Sequence, residues 1–133
     1  MLRIIIIAAA GLIILLLVGL LWLWRRRKLR PLHFQRQWAE LQKLCANKKS
    51  WPNAITGADK LLDEALKKKH FKGKTMGERL VSAQHELSNN DAVWSSHKLS
   101  SKVDHQSNLQ LGKKQVRTAL LGFLKALKDL NAL

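Results

Sequence analysis

The chain is short of the residues that crosslink or interrupt a fold. Its 133 residues include one cysteine, two prolines and no tyrosine. A lone cysteine excludes an internal disulfide and a cysteine-based zinc site. Cys45 therefore reads as a small apolar residue on a helix, not as a nucleophile. Acidic groups are missing from the front: the first 30 residues hold six Lys and Arg and no Asp or Glu. All nine acidic residues follow Pro31, where 18 basic residues leave +9 of the total charge of +15. Also missing after Pro31 is the polar–apolar alternation of a half-buried strand. These absences predict an all-α protein with room for one compact domain beside any membrane segment.

What is present begins with residues 4–24, "IIIIAAAGLIILLLVGLLWLW", where the only polar side-chain atoms are the Trp indoles. As a helix this run spans roughly 30 Å, the thickness of a bilayer's hydrocarbon core. Trp22 and Trp24 fall where an interfacial aromatic belt belongs, and "RRRKLR" follows at once. A cleaved signal peptide has its charges before a shorter apolar stretch, the reverse of this order. The expectation is a single-pass anchor in the cell membrane. Arg3 on one flank stands against five basic residues on the other, which places the N-terminus outside and the C-terminal domain in the cytoplasm. Gly11 and Gly19 are eight apart with Leu15 between them, so no small-xxx-small motif calls for a dimer in the membrane.

Helical spacing governs the remainder. Pro31 suits the first turn of a helix bearing Phe34, Trp38, Leu41 and Leu44 on one side. After the break at "NKKSWPN", Trp51, Ile55, Ala58, Leu62, Ala65 and Leu66 mark a second. There Asp63–Lys67 and Glu64–Lys68 form i, i+4 pairs in the favourable order, read as a solvated face. "TMGE" fits a capping box with Thr75 as N-cap and Glu78 reaching back. That third helix is expected to run through Leu80, Val81 and Leu87 as far as "SNND". Asp91 is expected to cap the fourth, "AVWSSHKLSSKVDHQ". Val116, Leu120, Phe123, Leu124, Leu127 and Leu130 form the stripe of the last. The expected organisation is an anchor over residues 1–30, a juxtamembrane helix over 31–50 and a bundle over 51–133. Trp38, Trp51 and Trp94 read as core residues, given their spacing to Leu and Ile.

Three stretches, "WPNAITGADKLLDEALKKKHFKGKTMGERL", "VWSSHKLSSKVDH" and the final amphipathic helix, resemble a group of small bacterial single-pass membrane proteins. The soluble part of that group is similar to the HEPN superfamily of helical bundles. The resemblance covers roughly residues 51 to 130 and implies a four-helix core, often dimeric. In the nuclease members of that superfamily, an Arg and a His on one helix cut RNA without metal. Carried over, the His falls on His105, whereas the Arg position and the polar one after it fall on Ser100 and Ser101. A serine hydroxyl cannot hold and neutralise a scissile phosphate as a guanidinium does. Lys98, seven residues before His105, could supply a point charge without the planar fork. Arg79 and His85 also have a permissible spacing, but Arg26, Arg27 and His33 reproduce it in the basic linker.

The same helix places His97, Ser101 and His105 at i, i+4 and i+8, along one stripe. As a hydrolase triad, Ser101, Asp104 and either His would diverge from one helix. His97 and His105 are two turns, roughly 12 Å, apart and cannot share a zinc ion. The plain reading is a polar seam bonded to its neighbours or to water. Asp59 and Asp63 could meet a distant His across helices, an arrangement that spacing alone leaves open. No metal and no cofactor are expected.

Two basic clusters remain. Arg25, Arg26, Arg27, Lys28 and Arg30 stand at headgroup depth, where each charge near an anionic surface contributes about 1 kcal/mol. Lys67, Lys68, Lys69, Lys72 and Lys74, in "KKKHFKGK", lie at a helix end where the macrodipole favours cations. They are also candidates for nucleic-acid or other anion contact. The expected function is a non-catalytic interaction module on the cytoplasmic face. Its partners would be anionic lipid, another protein or a second copy, with RNA contact through the positive surface. The alternative is a membrane-tethered, metal-independent ribonuclease using His105 with Lys98 or Arg79.

Overall fold

The computed structural model describes residues 1–26 and 29–133. Six helices follow one another, and no strand forms among the described residues. The first, α1 (Leu2–Arg26), carries the apolar run; none of its most apolar window is buried by the rest of the chain. A core helix of a soluble protein would be covered by protein, and α1 is not. It is long and apolar enough to cross a membrane.

The bundle comprises α2 (Pro31–Leu44), α3 (Trp51–Lys68), α4 (Met76–Ser82), α5 (Asn90–His105) and α6 (Lys113–Asp129). Between α2 and α3 lies one 3-10 turn at Lys48–Ser50, opened by Asn47, whose side chain accepts from the Lys49 amide. Seven residues of α3 are buried, more than in any other helix. They include Ile55, Leu62 and Leu66, and α3 packs against each of α2, α4, α5 and α6. Burying an Ile or Leu side chain contributes about 1.5–3 kcal/mol, so α3 is the strut on which the others assemble. Phe34 of α2 and Phe123, Leu127 and Leu130 at the other side complete the core. Leu29, just before α2, is buried in the same core, which brings the chain that follows α1 directly against the bundle.

Caps explain most of the boundaries. Thr75 Oγ1 accepts from the Glu78 amide and the Glu78 carboxylate accepts from the Thr75 amide, the capping box expected of "TMGE". However, α4 stops at Ser82. Leu87 reaches the core from the turns that follow it, and not from a continued helix. The Ser82 hydroxyl donates back to the Lys72 carbonyl, tying this short helix to the turn before it. Asn89, not Asp91, caps α5: its Oδ1 accepts from the Ala92 amide at 3.1 Å. Asp91 sits in the first turn, where a negative charge favours the helix dipole. Both α3 and α6 end in a left-handed residue, His70 (φ 62°) and Asn131 (φ 58°), followed by an amide that bonds back to Leu66 or Leu127. Such Schellman turns satisfy carbonyls that the helix end leaves open.

The helices α5 and α6 meet closely at Gly122. A β-carbon there would stand 2.3 Å from Ser96 Oγ and 3.0 Å from the Ala92 carbonyl oxygen. The Ser96 hydroxyl lies between the Ala92 and Ala119 carbonyls, 2.9 Å from each, and so stitches one helix to the other. Alanine at 122 gains about 1 kcal/mol of helix propensity but pushes the two backbones apart. Gly122→Ala is therefore expected to destabilise the bundle by about 1–2 kcal/mol net. Chemical unfolding of the detergent-solubilised chain, followed by tryptophan fluorescence, measures this.

Candidate functional site

The polar chemistry of the bundle gathers between α3, α4 and α5. Asp59 and Asp63 stand one turn apart on α3, beside the apolar stripe that faces the core. Each carboxylate takes hold of a different helix. Asp63 accepts two parallel bonds from Arg79 of α4, Nε to Oδ1 at 2.7 Å and Nη2 to Oδ2 at 2.9 Å. The remaining arm of the fork, Nη1, donates to the Gly73 carbonyl at 2.8 Å. Arg79 is only 7% exposed, so these bonds replace the water it gives up. Gly73 has a φ of 154°, and a β-carbon there would strike the Arg79 amide. Only glycine lets the turn lie this close to α4.

Asp59 holds α5. The His97 Nδ1–H donates to Asp59 Oδ1 at 2.9 Å, and the Ser100 hydroxyl donates to Oδ2 at 3.0 Å. The Trp94 ring meets His97 edge-on, with centroids 6.1 Å apart, and its far edge lies over Gly77 of α4. The bond to Asp59 raises the His97 pKa above the usual imidazole value, against burial, which lowers it. Burial would push Asp63 up, but the bonds from Arg79 and Lys67 outweigh it and hold the carboxyl below its ordinary range. Asp63 thus turns inward, with Lys67 (3.2 Å) as its outer partner, and is not part of a solvated face. The outer pair is Glu64–Lys68, at 3.0 Å.

Chemically this is a clamp. An Asp–His pair resembles the base half of a triad, but the serine next to it bonds the carboxylate and not the second imidazole nitrogen. Arg79 has all three arms of its fork engaged inside the protein. No group of three or more His, Cys, Asp or Glu able to hold a metal ion occurs among the described residues.

The residues singled out from the sequence lie elsewhere. His105 is exposed at the last turn of α5, where its Nδ1–H donates to the carbonyl of Ser101 at 2.8 Å. Lys98 is exposed in the groove between α5 and α6, beside Lys102 and Lys114. His85 is exposed beyond the end of α4 and plays no part in the Arg79 cluster. Arg27, Lys28 and the side chains of Arg25 and Arg26 lie outside the described residues; Arg30 is exposed at the N-cap of α2. Lys67 and Lys68 pair with Asp63 and Glu64 on their own helix, and Lys69 lies 3.6 Å from Glu86. Lys72 and Lys74 are exposed in the turn between α3 and α4. Trp38, Trp51 and Trp94 are half-buried against the core.

A second feature, an apolar groove, separates α2 from α6. Trp38, Trp51, Leu120, Leu121 and Leu124 line a cleft of about 440 Å³. Leu121 is more than half exposed there, whereas the Trp51 indole is fixed by donating to the Cys45 carbonyl at 2.9 Å. Burial raises the Cys45 thiol pKa, which keeps it protonated at neutral pH. Compared with protein families, curated proteins and solved structures, the chain matches none.

Two outcomes follow from the clamp. Arg79→Met strands the Asp63 carboxylate with Lys67 alone and is expected to cost roughly 2–3 kcal/mol, below the range for a fully buried pair because Lys67 and water still reach it. Urea unfolding read by tryptophan fluorescence gives the value. The pH dependence has two limbs. The His97 contribution is complete below the unfolded imidazole value of about 6.5 and is lost as pH rises through its higher folded pKa. The Asp63 contribution is present above about 3.9 and is lost as pH falls through its lower folded pKa. Thermal stability is therefore expected to be greater near pH ~5.5 than near pH ~8. His97→Gln, which can still donate to Asp59 but does not titrate, should flatten the alkaline limb and leave the acid limb unchanged.

Proposed function

We propose that the chain is a single-pass membrane protein holding a non-catalytic, HEPN-like helical module against the cytoplasmic face, where the module binds another protein or a second copy. The observation that carries the anchored part is the bare surface of α1. Its apolar window has no protein cover, and lipid is the solvent that removes such a surface from water. The flanking charges argue for the orientation: one basic residue precedes the span and five follow it.

The non-catalytic part rests on Ser100. Under the HEPN-like reading this is the place of the phosphate-holding Arg. Ser100 is 1% exposed and spends its hydroxyl on Asp59. His105, five residues on, faces solvent and bonds its own helix backbone. The two positions do not converge on a common open site. Binding is supported by the groove between α2 and α6. Its aromatic and leucine lining fits the apolar face of a helix, a recurrent mode of protein recognition.

Three measurements test this reading on the full chain. Alkaline carbonate is expected to leave the protein in the membrane fraction, and protease added to intact cells is expected to spare the bundle; release or digestion would overturn the anchor or its orientation. The purified protein is expected to leave a mixed RNA pool intact without metal. Cleavage abolished by His105→Ala but retained in Cys45→Ala would instead establish the ribonuclease reading. A photo-crosslinker at Leu121 is expected to give a discrete adduct in cells, and one at exposed Lys60 on α3 is not. Equal labelling from both positions would remove the groove as the binding surface.

A further inference from the structure

The lysine cluster of residues 67–74 lies far along the chain from Arg30, yet the fold carries it to the end of the bundle where α2 begins. Helix α2 leaves the anchor at Pro31 and α3 returns antiparallel beside it. Two contacts fix the register. His33, in the first turn of α2, lies 3.0 Å from the Glu64 carboxylate in the last turns of α3. Lys68 Nζ is 5.6 Å from the centre of the Phe34 ring, and it also pairs with Glu64. The C-terminal end of α3 therefore sits where the span ends. A cleft of about 830 Å³ confirms the juxtaposition, being lined by Leu21 and Trp24 of α1, Leu29, and Lys69, His70 and Phe71 after α3.

That end of the bundle has the composition of a surface that meets headgroups. Lys67, Lys68, Lys72 and Lys74 are exposed, as is Arg30. The nearby carboxylates are already engaged: Asp63 by Arg79 and Lys67, Glu64 by Lys68 and His33, Glu86 by Lys69, and Glu78 by the capping box. Among the described residues, neither the Lys72 nor the Lys74 side chain is paired with a carboxylate. Leu32 adds an apolar side chain, more than half exposed, in the first turn of α2. Leu21 and Trp24 belong to the last turns of the span, at the hydrocarbon boundary. The chain from Phe71 to Lys74 can reach no further than about 10 Å from that level, against roughly 5–8 Å for one headgroup layer, a difference that a lysine side chain reaching back spans.

Resting on the anchored reading above, we infer that residues 67–74 form a docking surface for anionic phospholipid, with Lys72 and Lys74 as its free contacts and the cleft beneath Trp24 facing the headgroups. The bundle lies with its α3 end on the bilayer and its opposite end, around Lys48 and Lys49, in water. A nucleic-acid strand at the same lysines would have to occupy the space that the bilayer fills.

The test uses the full chain in lipid nanodiscs made of phosphatidylcholine alone or of equal parts phosphatidylcholine and phosphatidylglycerol. A water-soluble amine-acylating reagent is added, and the labelling rate of each lysine is read by peptide mass spectrometry. Lys72 and Lys74 are expected to react about fivefold more slowly in the anionic discs, the factor that one charge–surface contact represents. Lys48 and Lys49 are expected to react equally in both. Equal rates at Lys72 and Lys74, with the chain still in the discs, would overturn this inference alone. A slowing shared by Lys48 and Lys49 would overturn it too, as unspecific attraction. Protection of Lys72 and Lys74 by added RNA in neutral discs, without any effect of anionic lipid, would reassign the cluster to nucleic acid. Loss of the chain from the discs would overturn the anchoring and this inference with it.

Discussion

Asp59 and Asp63 determine how the small helices of this bundle are mounted. They lie one turn apart on α3, at the edge of its buried stripe, and each secures a neighbour that packing alone leaves under-specified. The helix α4 is only seven residues long, too short to be stable without tertiary support. Arg79, locked onto Asp63 and the Gly73 carbonyl, supplies a directional contact that Leu80 cannot. On α5, His97 and Ser100 set the rotation about the helix axis, so that Ser96 and Leu99 turn toward α6 and the core. Hydrophobic burial supplies the bulk of the free energy, and the paired carboxylates add directional contacts that hold α4 and α5 in this orientation.

The same arrangement accounts for the division of labour among the polar groups. Asp59, Asp63, Arg79 and His97 are satisfied by one another and by the backbone inside the bundle, whereas Lys98, Lys72 and Lys74 are exposed. A buried, fully bonded guanidinium is held in place by the energy needed to desolvate it unpaired. It therefore contributes to architecture and is not free to meet a substrate.

Residue spacing made much of this legible. The helices α2, α3 and α6 follow directly from their apolar stripes, and the start of α4 follows from Thr75 and Glu78. Its end did not, because Leu80 and Leu87 are seven residues apart and imitate two turns of a helix; a series of tight turns brings Leu87 to the same core. Two side chains, Asn89 and Asp91, suit the cap of α5, and only the backbone geometry at Asn89 decides between them. Half of the clamp is open to sequence reasoning as a possibility: a distant His can meet Asp59 or Asp63 across helices, and His97 meets Asp59. Which side chains meet is not legible, because the partners lie 38 and 16 residues away and helix crossing angles set the pairing. Pairing Asp63 with Lys67 on its own helix is correct as far as it goes. It misses the stronger bond because an interhelical fork leaves no periodic trace.

The helix α1 contributes nothing to the bundle's core along its apolar window. Two parts of one polypeptide therefore obey separate packing rules. Exchanges among Ile, Leu, Val and Ala in the first 20 residues leave the packing around α3 untouched. No contact inside the protein specifies which apolar side chain stands at each place in that window, whereas the core around α3 fixes shape and volume position by position.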